Sequence, residues 1–227
     1  MDSKLQLKIQ KSCMLTVQPF TFNPVQENTY VVYNEKGQCC IIDPGCYFAS
    51  EEQELKDFMS QNGLKPVYLL NTHCHLDHIF GNRFIHKTYG LILHLHQLEK
   101  PVLELGTASG QLWQLPFDNY DGELKFIDEG EVIRIGDDEM HILFTPGHSP
   151  GSITFYSKEN KFAISGDVLF QGSVGRTDLP GGDFSLLEES IKTKLYTLPE
   201  DVIIFPGHGE STTVADEMKT NPFVKMV

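Results

Sequence analysis

A histidine-rich segment holds the residues best suited to bind metal. One residue after the apolar run VYLL, the letters THCHLDH place four potential ligands within six residues: His73, His75, Asp77 and His78. In an extended chain residues i and i+2 point to the same side, so His73 and His75 can bind one ion together. Four ligands from so short a segment are difficult to close around one tetrahedral ion. The segment therefore predicts two adjacent metal positions.

Three further potential ligands each follow an apolar, strand-like segment. These segments are ILFTPG before His148, FAISG before Asp167 and VIIFPG before His208. The carboxyl ends of neighbouring strands converge on one crevice, and Pro-Gly or Ser-Gly turns release the chain at that point. We therefore expect these three side chains to join the histidine-rich segment at one site.

The other histidines and the cysteines do not point to a second site. His94 and His96 form another H-x-H pair, but no carboxylate or third ligand accompanies them, so we interpret them as incidental. His86 and His141 are expected to be partly exposed side chains. The five cysteines are too few and too scattered for a disulfide framework, which fits a reducing cytoplasm. For the adjacent cysteines in the run QCCIID, buried thiols are the favoured interpretation and a redox pair is the alternative.

The composition excludes several classes of protein. The 227 residues are 40% apolar and 22% charged, which excludes a disordered chain and fits one domain spanning 1–227. No apolar run approaches the roughly 18 residues that cross a bilayer, and residues 1–15 lack the apolar core of a targeting signal. A net charge of −13 disfavours nucleic acid as a partner. We expect a soluble, cytoplasmic protein that acts on a small molecule and does not bind membranes.

Alternating strands and helices are predicted to position the candidate ligands. The strands LTVQPF and TYVVYNEKGQCCIID open the chain with a hairpin. A helix capped by Ser50 and Gln53, a buried strand at 67–70, a helix near 79–89 and the strand LILHL follow. Residues 97–115 are ambiguous, and several strands come after them. A last helical pattern recurs at Leu187, Ile191 and Leu195. This pattern indicates an α/β protein in which helices cover sheets.

Four motifs, in order along the chain, resemble those of the metallo-β-lactamase superfamily: THCHLDH, TPGHSPGS, SGDVLF and FPGHG. The resemblance implies an α/β fold with four layers, an αββα sandwich with the metals at one edge between the sheets. It implies one metal held by three histidines: His73, His75 and His148. It implies a second metal held by three further residues: Asp77, His78 and His208. Asp167 would bridge the two metals, and Asp43 in the run IIDPG would orient a ligand or a loop. For Asp43 the alternative is a turn-forming Asp-Pro-Gly.

The bridging position separates branches of that superfamily. Metallo-β-lactamases of the common types have cysteine where Asp167 stands, and the di-iron flavoprotein branch has glutamate where His75 stands. The runs GDVLFQGSVGRTDLPGGD and HGESTTVADEMKTNPF are instead similar to glyoxalase II, hydroxyacylglutathione hydrolase, and its small bacterial relatives. This similarity implies that Arg176 contacts the glutathione moiety. A loop pair between Arg176 and Asp178 is an equally weighted alternative.

The resemblance implies two divalent metal ions, with zinc expected and iron or manganese as alternatives. Zinc lowers the pKa of bound water from about 15.7 to about 7, so a hydroxide bridging the metals is the expected nucleophile. Asp77 is a candidate to take the proton of that water. A thiol leaves as thiolate without a strong general acid. The expected reaction is hydrolysis of an S-acyl thiol conjugate such as hydroxyacylglutathione.

Two departures from glyoxalase II leave the thiol carrier open. Longer glyoxalase II chains continue into a helical region that binds glutathione, whereas nineteen residues follow His208 here. Those enzymes also place tyrosine where this chain has Glu210. The alternatives are a lactonase and a persulfide dioxygenase that uses one iron. The iron ligands of that dioxygenase would be His73, His148 and Asp167. A nuclease and a non-catalytic module have less support.

Overall fold

Two six-stranded sheets form the centre of the structure, a computed structural model that describes residues 14–225. The expectation about a targeting signal falls mainly on residues 1–13, which lie outside the described residues. The first sheet has the strand order β1 to β6. Its strands are β1 (Thr16–Phe22), β2 (Glu27–Tyr33), β3 (Gln38–Ile42), β4 (Lys65–Leu70), β5 (Leu93–Leu95) and β6 (Leu124–Phe126). β1 to β3 pair antiparallel and β3 to β6 pair parallel, so the carboxyl ends of β3 to β6 lie at one edge.

The second sheet has the order β14-β13-β10-β9-β8-β7. Its strands are β7 (Val132–Ile135), β8 (Asp138–Phe144), β9 (Ile153–Ser157), β10 (Phe162–Gly166), β13 (Ile203–Pro206) and β14 (Thr212–Thr213). A small hairpin, made of β11 (Leu169–Phe170) and β12 (Ser173–Val174), forms a separate two-stranded sheet. β10 and β13 pair in parallel, so their carboxyl ends also share one edge.

Helices follow the strands as the alternating pattern predicted. They are α1 (Ala49–Gln61), α2 (Leu76–Ile79), α3 (Asn82–Tyr89), α4 (Lys100–Glu104), α5 (Gly106–Leu112), α6 (Phe184–Ser190) and α7 (Val214–Thr220). A 3₁₀ turn, Gln97–Glu99, precedes α4, and a π-helical turn, Ile191–Leu195, continues α6. Within residues 14–225, no helix combines the length and apolar character that a membrane crossing requires.

Strand β3 shows how the sequence produces four layers. Side chains alternate between the two faces of a strand, and all of Cys39, Cys40, Ile41 and Ile42 are fully buried. Cys39 and Ile41 pack into a core shared with α1 and α3, whereas Cys40 and Ile42 pack into the core between the sheets. A third core lies between the second sheet and α6 and α7. The predicted αββα sandwich is therefore confirmed.

Two helix predictions need correction. The first helix begins at Ala49, and the Glu51 carboxylate, rather than Ser50, accepts hydrogen bonds from the backbone N–H of Tyr47 and Phe48, at 2.8 and 3.0 Å. The helix predicted near 79–89 is present as α3, but it begins at Asn82, and a separate short helix, α2, ends at Ile79. Gly81 lies at the break, where a β-carbon would come within 2.8 Å of the Pro44 carbonyl oxygen. Close packing against this neighbouring loop therefore accounts for the glycine and the interruption.

Candidate metal centre and its cavity

The carboxyl ends of four strands supply the predicted ligands. His73 and His75 lie in the loop after β4, and that loop continues into α2, which carries Asp77 and His78. His148 follows β8, Asp167 follows β10 directly, and His208 follows β13. The structure brings all seven side chains together, because each strand ends at the same edge of the sandwich.

Three histidines form the first group of potential ligand atoms. His75 Nδ1 lies 2.8 Å from His148 Nε2, and His148 Nε2 lies 3.2 Å from His73 Nε2. One ring nitrogen from each residue therefore faces a common point, and these atoms all lie within 4.8 Å of one another. His73 and His148 are buried, and His75 is partly buried. Such a trio suits a cation with nitrogen ligands.

A second group lies beside the first. Asp77 Oδ2 is 3.1 Å from His208 Nε2 and 3.6 Å from His78 Nε2. Asp167 lies between the groups, since its Oδ2 is 3.5 Å from His148 Nε2 and 3.6 Å from His208 Nε2. Its Oδ1 is 3.4 Å from His78 Nε2. One carboxylate therefore reaches both groups, as expected of a bridging position.

Hydrogen bonds at the far ring nitrogens fix the orientation of four histidines. His148 Nδ1 donates to the Arg176 carbonyl oxygen at 2.7 Å, and His208 Nδ1 donates to the Gln26 carbonyl oxygen at 3.1 Å. A carbonyl can only accept, so Nδ1 carries the proton and the Nε2 lone pair faces the centre. The corresponding partners of His73 and His78 are the Thr72 hydroxyl at 3.1 Å and the Asp43 carboxylate at 3.2 Å. Such contacts orient metal-binding imidazoles.

Burial and neighbouring charge prepare the centre for a cation. Burial lowers the pKa of His73, His75 and His148, to about 3 for His75, so these rings are neutral at physiological pH. Burial would also lower the pKa of His78, but the carboxylates of Asp77 and Asp167 raise it well above its usual range. Asp77 and Asp167 therefore favour a positive charge beside His78, which is the condition that a metal cation requires.

The residues present fit a divalent metal. Among residues 14–225, the buried atoms that lack a hydrogen-bond partner include His78 Nε2 and Asp167 Oδ1. Unpaired buried polar atoms are unfavourable, and a cation at this place would engage both. The imidazole and carboxylate donors are those preferred by zinc, iron and manganese. Gly207 keeps the site compact, because a β-carbon there would come within 2.7 Å of His78 Cε1 and would also contact Asp167 Oδ1.

Asp43 lies behind the ligands. Its carboxylate accepts hydrogen bonds from the Thr72 backbone N–H at 2.7 Å and from the Thr72 hydroxyl at 2.6 Å. It also accepts one from the Asn71 side-chain amide at 3.1 Å, and it contacts His78 Nδ1. These contacts fit the positioning role that the sequence resemblance implied, and the φ of 48° at Asp43 also fits the turn that was the alternative.

Two buried glutamates were not identified from the sequence. Glu99 accepts hydrogen bonds from the backbone N–H of Cys74 at 2.7 Å, the Ser149 hydroxyl at 2.6 Å and the Gly151 backbone N–H at 2.6 Å. It thereby joins the loop of His73 and His75 to the turn after His148. Glu27 Oε1 lies 3.7 Å from His78 Nδ1, and burial raises the pKa of Glu27 well above its usual range. Neither glutamate belongs to a motif, and nothing in the polar start of β2, Glu27-Asn28-Thr29, indicates that Glu27 is fully buried.

Comparison with known proteins identifies the family. The sequence profile described as the metallo-β-lactamase superfamily matches residues 22–208. The chain belongs to this superfamily. It is 39% identical over 203 residues to the probable metallo-hydrolase YqgX of Bacillus subtilis, covering 88% of this chain and 93% of the relative. It is 37% identical over 201 residues to the hydroxyacylglutathione hydrolase GloC of Haemophilus influenzae, with the same coverage.

Solved structures of the superfamily share the fold. BLEG-1, a B3 metallo-β-lactamase, superimposes with a TM-score of 0.83 at 36% identity, covering 93% of this chain and all of that chain. TTHA1623 in a di-iron-bound form gives 0.83 at 38% identity, covering 92% of this chain and all of that chain. ETHE1 from Myxococcus xanthus gives 0.74 at 22% identity, covering 91% and 83%, and shows likeness of fold alone. Together with the His and Asp groups, the di-iron-bound relative supports divalent metal binding.

A cavity of about 600 Å³ opens beside the metal centre of this superfamily member. Its lining includes five of the candidate ligands and Arg176, with α4, α5 and the β11–β12 hairpin as walls. The Arg176 Nε and Nη2 atoms donate to the two carboxylate oxygens of Asp178 at 2.7 and 2.8 Å. The loop pair considered in the sequence analysis is therefore present, and Arg176 also lies at the cavity.

The histidines at 94 and 96 lie outside the candidate ligand groups, and so do the described cysteines, although Cys74 lies between His73 and His75 in sequence and lines the cavity. His94 Nδ1 donates to the Ile92 carbonyl oxygen at 3.0 Å, and His96 Nδ1 accepts from the Leu98 backbone N–H at 3.3 Å. Neither belongs to a group of potential metal ligands among the described residues. The cysteines at 39, 40, 46 and 74 are free and buried. Cys39 and Cys40 face opposite cores, as buried thiols rather than a redox pair would.

Proposed function

We propose that the chain is a binuclear metallohydrolase that cleaves S-acyl thiol conjugates, a thioesterase related to glyoxalase II. The observation that carries the proposal is that Asp167 lies between two groups of ligand atoms beside one open cavity. The relative named hydroxyacylglutathione hydrolase, at 37% identity over most of both chains, favours a thioester as the substrate. The proposed catalytic unit is one domain comprising residues 1–227.

The proposal assigns the ligands in two sets. His73, His75 and His148 hold one divalent ion. The second set consists of Asp77, His78 and His208. Asp167 binds both ions, and zinc is the proposed metal, with iron and manganese as alternatives. Asp43 keeps His78 in position through the 3.2 Å contact with its Nδ1.

Bound divalent ions polarise a carbonyl oxygen and lower the pKa of water, which supplies a nucleophile at neutral pH. The residues of this chain prepare that chemistry. Asp77 Oδ2 faces the centre, and its carboxylate is the proposed acceptor of the proton from the attacking water. The hydrogen bonds from the Nδ1 atoms of His148 and His208 keep their Nε2 lone pairs directed inward. Arg176 Nη1 remains available to donate to an amide carbonyl or carboxylate of the thiol carrier, because Asp178 engages Nε and Nη2.

A small-molecule substrate fits the charge of the protein. The net charge of −13 disfavours nucleic acids, whereas the cation-binding centre provides a local exception for the oxyanion that develops at a thioester carbonyl. The thiol that leaves has a pKa of about 8.5, so it can depart as thiolate and the site needs no strong general acid. The carboxylates among the described lining residues are Asp77 and Asp167, and the proposal assigns both of them to the metal centre.

One experiment on a single preparation tests the proposal. Metal analysis of purified protein should give about two ions per chain, and the same sample should hydrolyse S-lactoylglutathione. Parallel assays with an aliphatic lactone, glutathione persulfide with oxygen uptake, and a β-lactam cover the other chemistries. The β-lactam is included because the BLEG-1 structure is 36% identical. One iron per chain with persulfide-dependent oxygen uptake and no thioester cleavage would replace the proposal with a dioxygenase that uses His73, His148 and Asp167.

A further inference from the structure

The cavity beside the metal centre has an apolar wall. The residues of that wall include Val102, Leu105, Leu112, Trp113, Phe170 and Leu179. Three of them are well exposed to solvent: Leu105 by 59%, Leu112 by 81% and Trp113 by 51%. Large apolar side chains that remain exposed at the rim of a cavity gain free energy when an apolar ligand covers them.

Apart from the metal ions proposed at the centre, the charges along the cavity do not favour an anionic ligand. Of the lining residues within the described part of the chain, Arg176 alone is a lysine or arginine. Both carboxylate oxygens of Asp178 accept hydrogen bonds from its guanidinium, so the local charge of this pair is zero. Glu210, two residues beyond His208, is exposed and adds a negative charge. A glutathione moiety carries two carboxylates, and the cavity lining offers no second cation for them.

We propose that the acyl group of the substrate is an apolar chain or ring that lies against α4 and α5. This proposal rests on the proposed thioesterase function and specifies its substrate class: medium-chain or aryl thioesters of a thiol that carries no net charge. The cavity volume of about 600 Å³ is that of a small-ligand pocket, so it has room for such an acyl group beside the reacting carbonyl. Arg176 Nη1 then donates to an amide carbonyl of the thiol carrier.

Chain-length dependence of turnover tests the proposal directly. The substrates are acetyl, butyryl, hexanoyl and octanoyl thioesters of N-acetylcysteamine, an uncharged thiol, with S-lactoylglutathione as the polar comparison. Each buried methylene contributes ~0.8 kcal/mol, so kcat/KM should rise about fourfold per methylene until the cavity is filled. Across the four additional methylenes, kcat/KM of the hexanoyl thioester should exceed that of the acetyl thioester by roughly 200-fold and should also exceed that of S-lactoylglutathione. Equal kcat/KM for acetyl and hexanoyl substrates would overturn the proposal.

The tryptophan provides a second readout that does not need turnover. The chain contains one tryptophan, Trp113, and it lines the cavity, so its emission reports on apolar ligands there. Inert S-ethyl and S-hexyl thioethers of N-acetylcysteamine are titrated into the metal-loaded protein. The hexyl compound should shift the emission to shorter wavelength and, at about fourfold for each of four methylenes, bind roughly 200-fold more tightly than the ethyl compound. Equal affinities would contradict the proposed apolar site.

Matched variants locate the effect. Leu105→Ser and Leu112→Ser remove exposed apolar surface from the wall, so each should reduce the hexyl-to-ethyl affinity ratio at least threefold. Ile203→Ser is the control, because Ile203 is 41% exposed but begins β13, whose other end leads to the metal centre. The control should keep the wild-type ratio. If Ile203→Ser and Leu105→Ser reduced the ratio equally, the assignment to this wall would be wrong.

The two readouts separate this proposal from the proposed function. Chain-length-dependent binding without hydrolysis of any thioester would reject the thioesterase function and retain the apolar site. Hydrolysis of all thioesters at similar kcat/KM, with equal thioether affinities, would retain the thioesterase function and reject the apolar site.

Discussion

Replacement of Glu99 by glutamine tests whether a buried carboxylate holds the two ligand loops together. Glu99 is fully buried, and its Oε2 accepts the hydrogen bond from the Cys74 backbone N–H at 2.7 Å. Its Oε1 accepts two more, from Ser149 and Gly151, both at 2.6 Å. In Glu99→Gln the amide oxygen can retain the bonds at Oε1, whereas the amide NH₂ would face the Cys74 N–H. Two donors then oppose each other, and one bond to a charged acceptor is lost.

The structure allows the magnitude to be worked out. A hydrogen bond to a charged group contributes about 1.5–3 kcal/mol, and the relief of a buried charge offsets part of its loss. We therefore expect Glu99→Gln to lower the free energy of unfolding by about 2 kcal/mol, which corresponds to a fall in Tm of roughly 4–8 °C for a chain of this size. Because the Cys74 backbone lies between two proposed ligands, metal affinity should also fall, by roughly 10-fold to 100-fold.

The assay combines urea unfolding with competitive metal titration against a chromogenic chelator. Glu104→Gln is the matched control, because Glu104 lies on α4 and its exposed carboxylate makes a 3.7 Å ion pair with Lys100. Exposed pairs of this kind contribute about 0–1 kcal/mol, so the control should resemble wild type in both measurements. An unfolding free energy for Glu99→Gln within about 0.5 kcal/mol of wild type, with unchanged metal affinity, would refute the inference that Glu99 holds the two ligand loops together.

The pH dependence of the same variant provides a sign test. Burial raises the pKa of Glu99 above its ordinary value of 4.5, and the hydrogen bonds from Ser149, Cys74 and Gly151 offset only part of that rise. The folded state therefore holds this proton more tightly than the unfolded chain does. As pH rises from 4.5 through the folded-state pKa, wild type should lose stability relative to Glu99→Gln, which does not titrate. In urea unfolding of chelator-treated protein across this interval, the stability advantage of wild type over Glu99→Gln should become smaller as pH rises. An advantage that grows with pH would contradict the raised pKa of Glu99.

Three further variants address the metal centre and the cavity. His73→Ala removes a buried ligand, so bound metal and thioester hydrolysis should fall together; loss of activity at full metal content would contradict its role as a ligand. Arg176→Ala should raise KM several-fold with little change in kcat, and an unchanged KM would reject the proposed contact with the thiol carrier. Gly207→Ala places a β-carbon against Asp167 Oδ1, so metal affinity should fall. A metal affinity equal to that of wild type would contradict the close-packing argument.

The sequence predicted the fold well because alternate residues of a strand face opposite layers, so the apolar faces of a strand indicate which layers cover it. The run from Cys39 to Ile42 is apolar on both faces, which is typical of a strand buried between two layers. The boundaries of α1 and the break between α2 and α3 were not predictable in the same way. The break depends on the approach of Pro44 to Gly81, and that contact forms only when separate segments pack together.

The candidate site shows the same division between local and non-local information. His73 and His75 could be recognised because two ligands follow one strand at a spacing of two, and similar strand-end turns precede His148 and His208. Glu99 could not be recognised, because its three partners lie 25, 50 and 52 residues away along the chain. Its short segment before α4 carries no repeated pattern. The general rule is that ligands follow elements of the sheet, whereas residues that support ligands come from any segment that packs behind them.

The supporting acids also explain how an acidic protein keeps a cation-binding centre rather than a proton-binding one. Asp43, Asp77 and Asp167 surround His78, and in this cluster His78 Nε2 and Asp167 Oδ1 have no hydrogen-bond partner among the described residues. A proton on His78 neutralises one charge and engages one atom at a time. A divalent cation neutralises two charges and engages several ligand atoms together, so it relieves more of the desolvation of these carboxylates. The buried acids therefore favour metal over proton at this edge of the sandwich, and metal binding should stabilise the fold that gathers them.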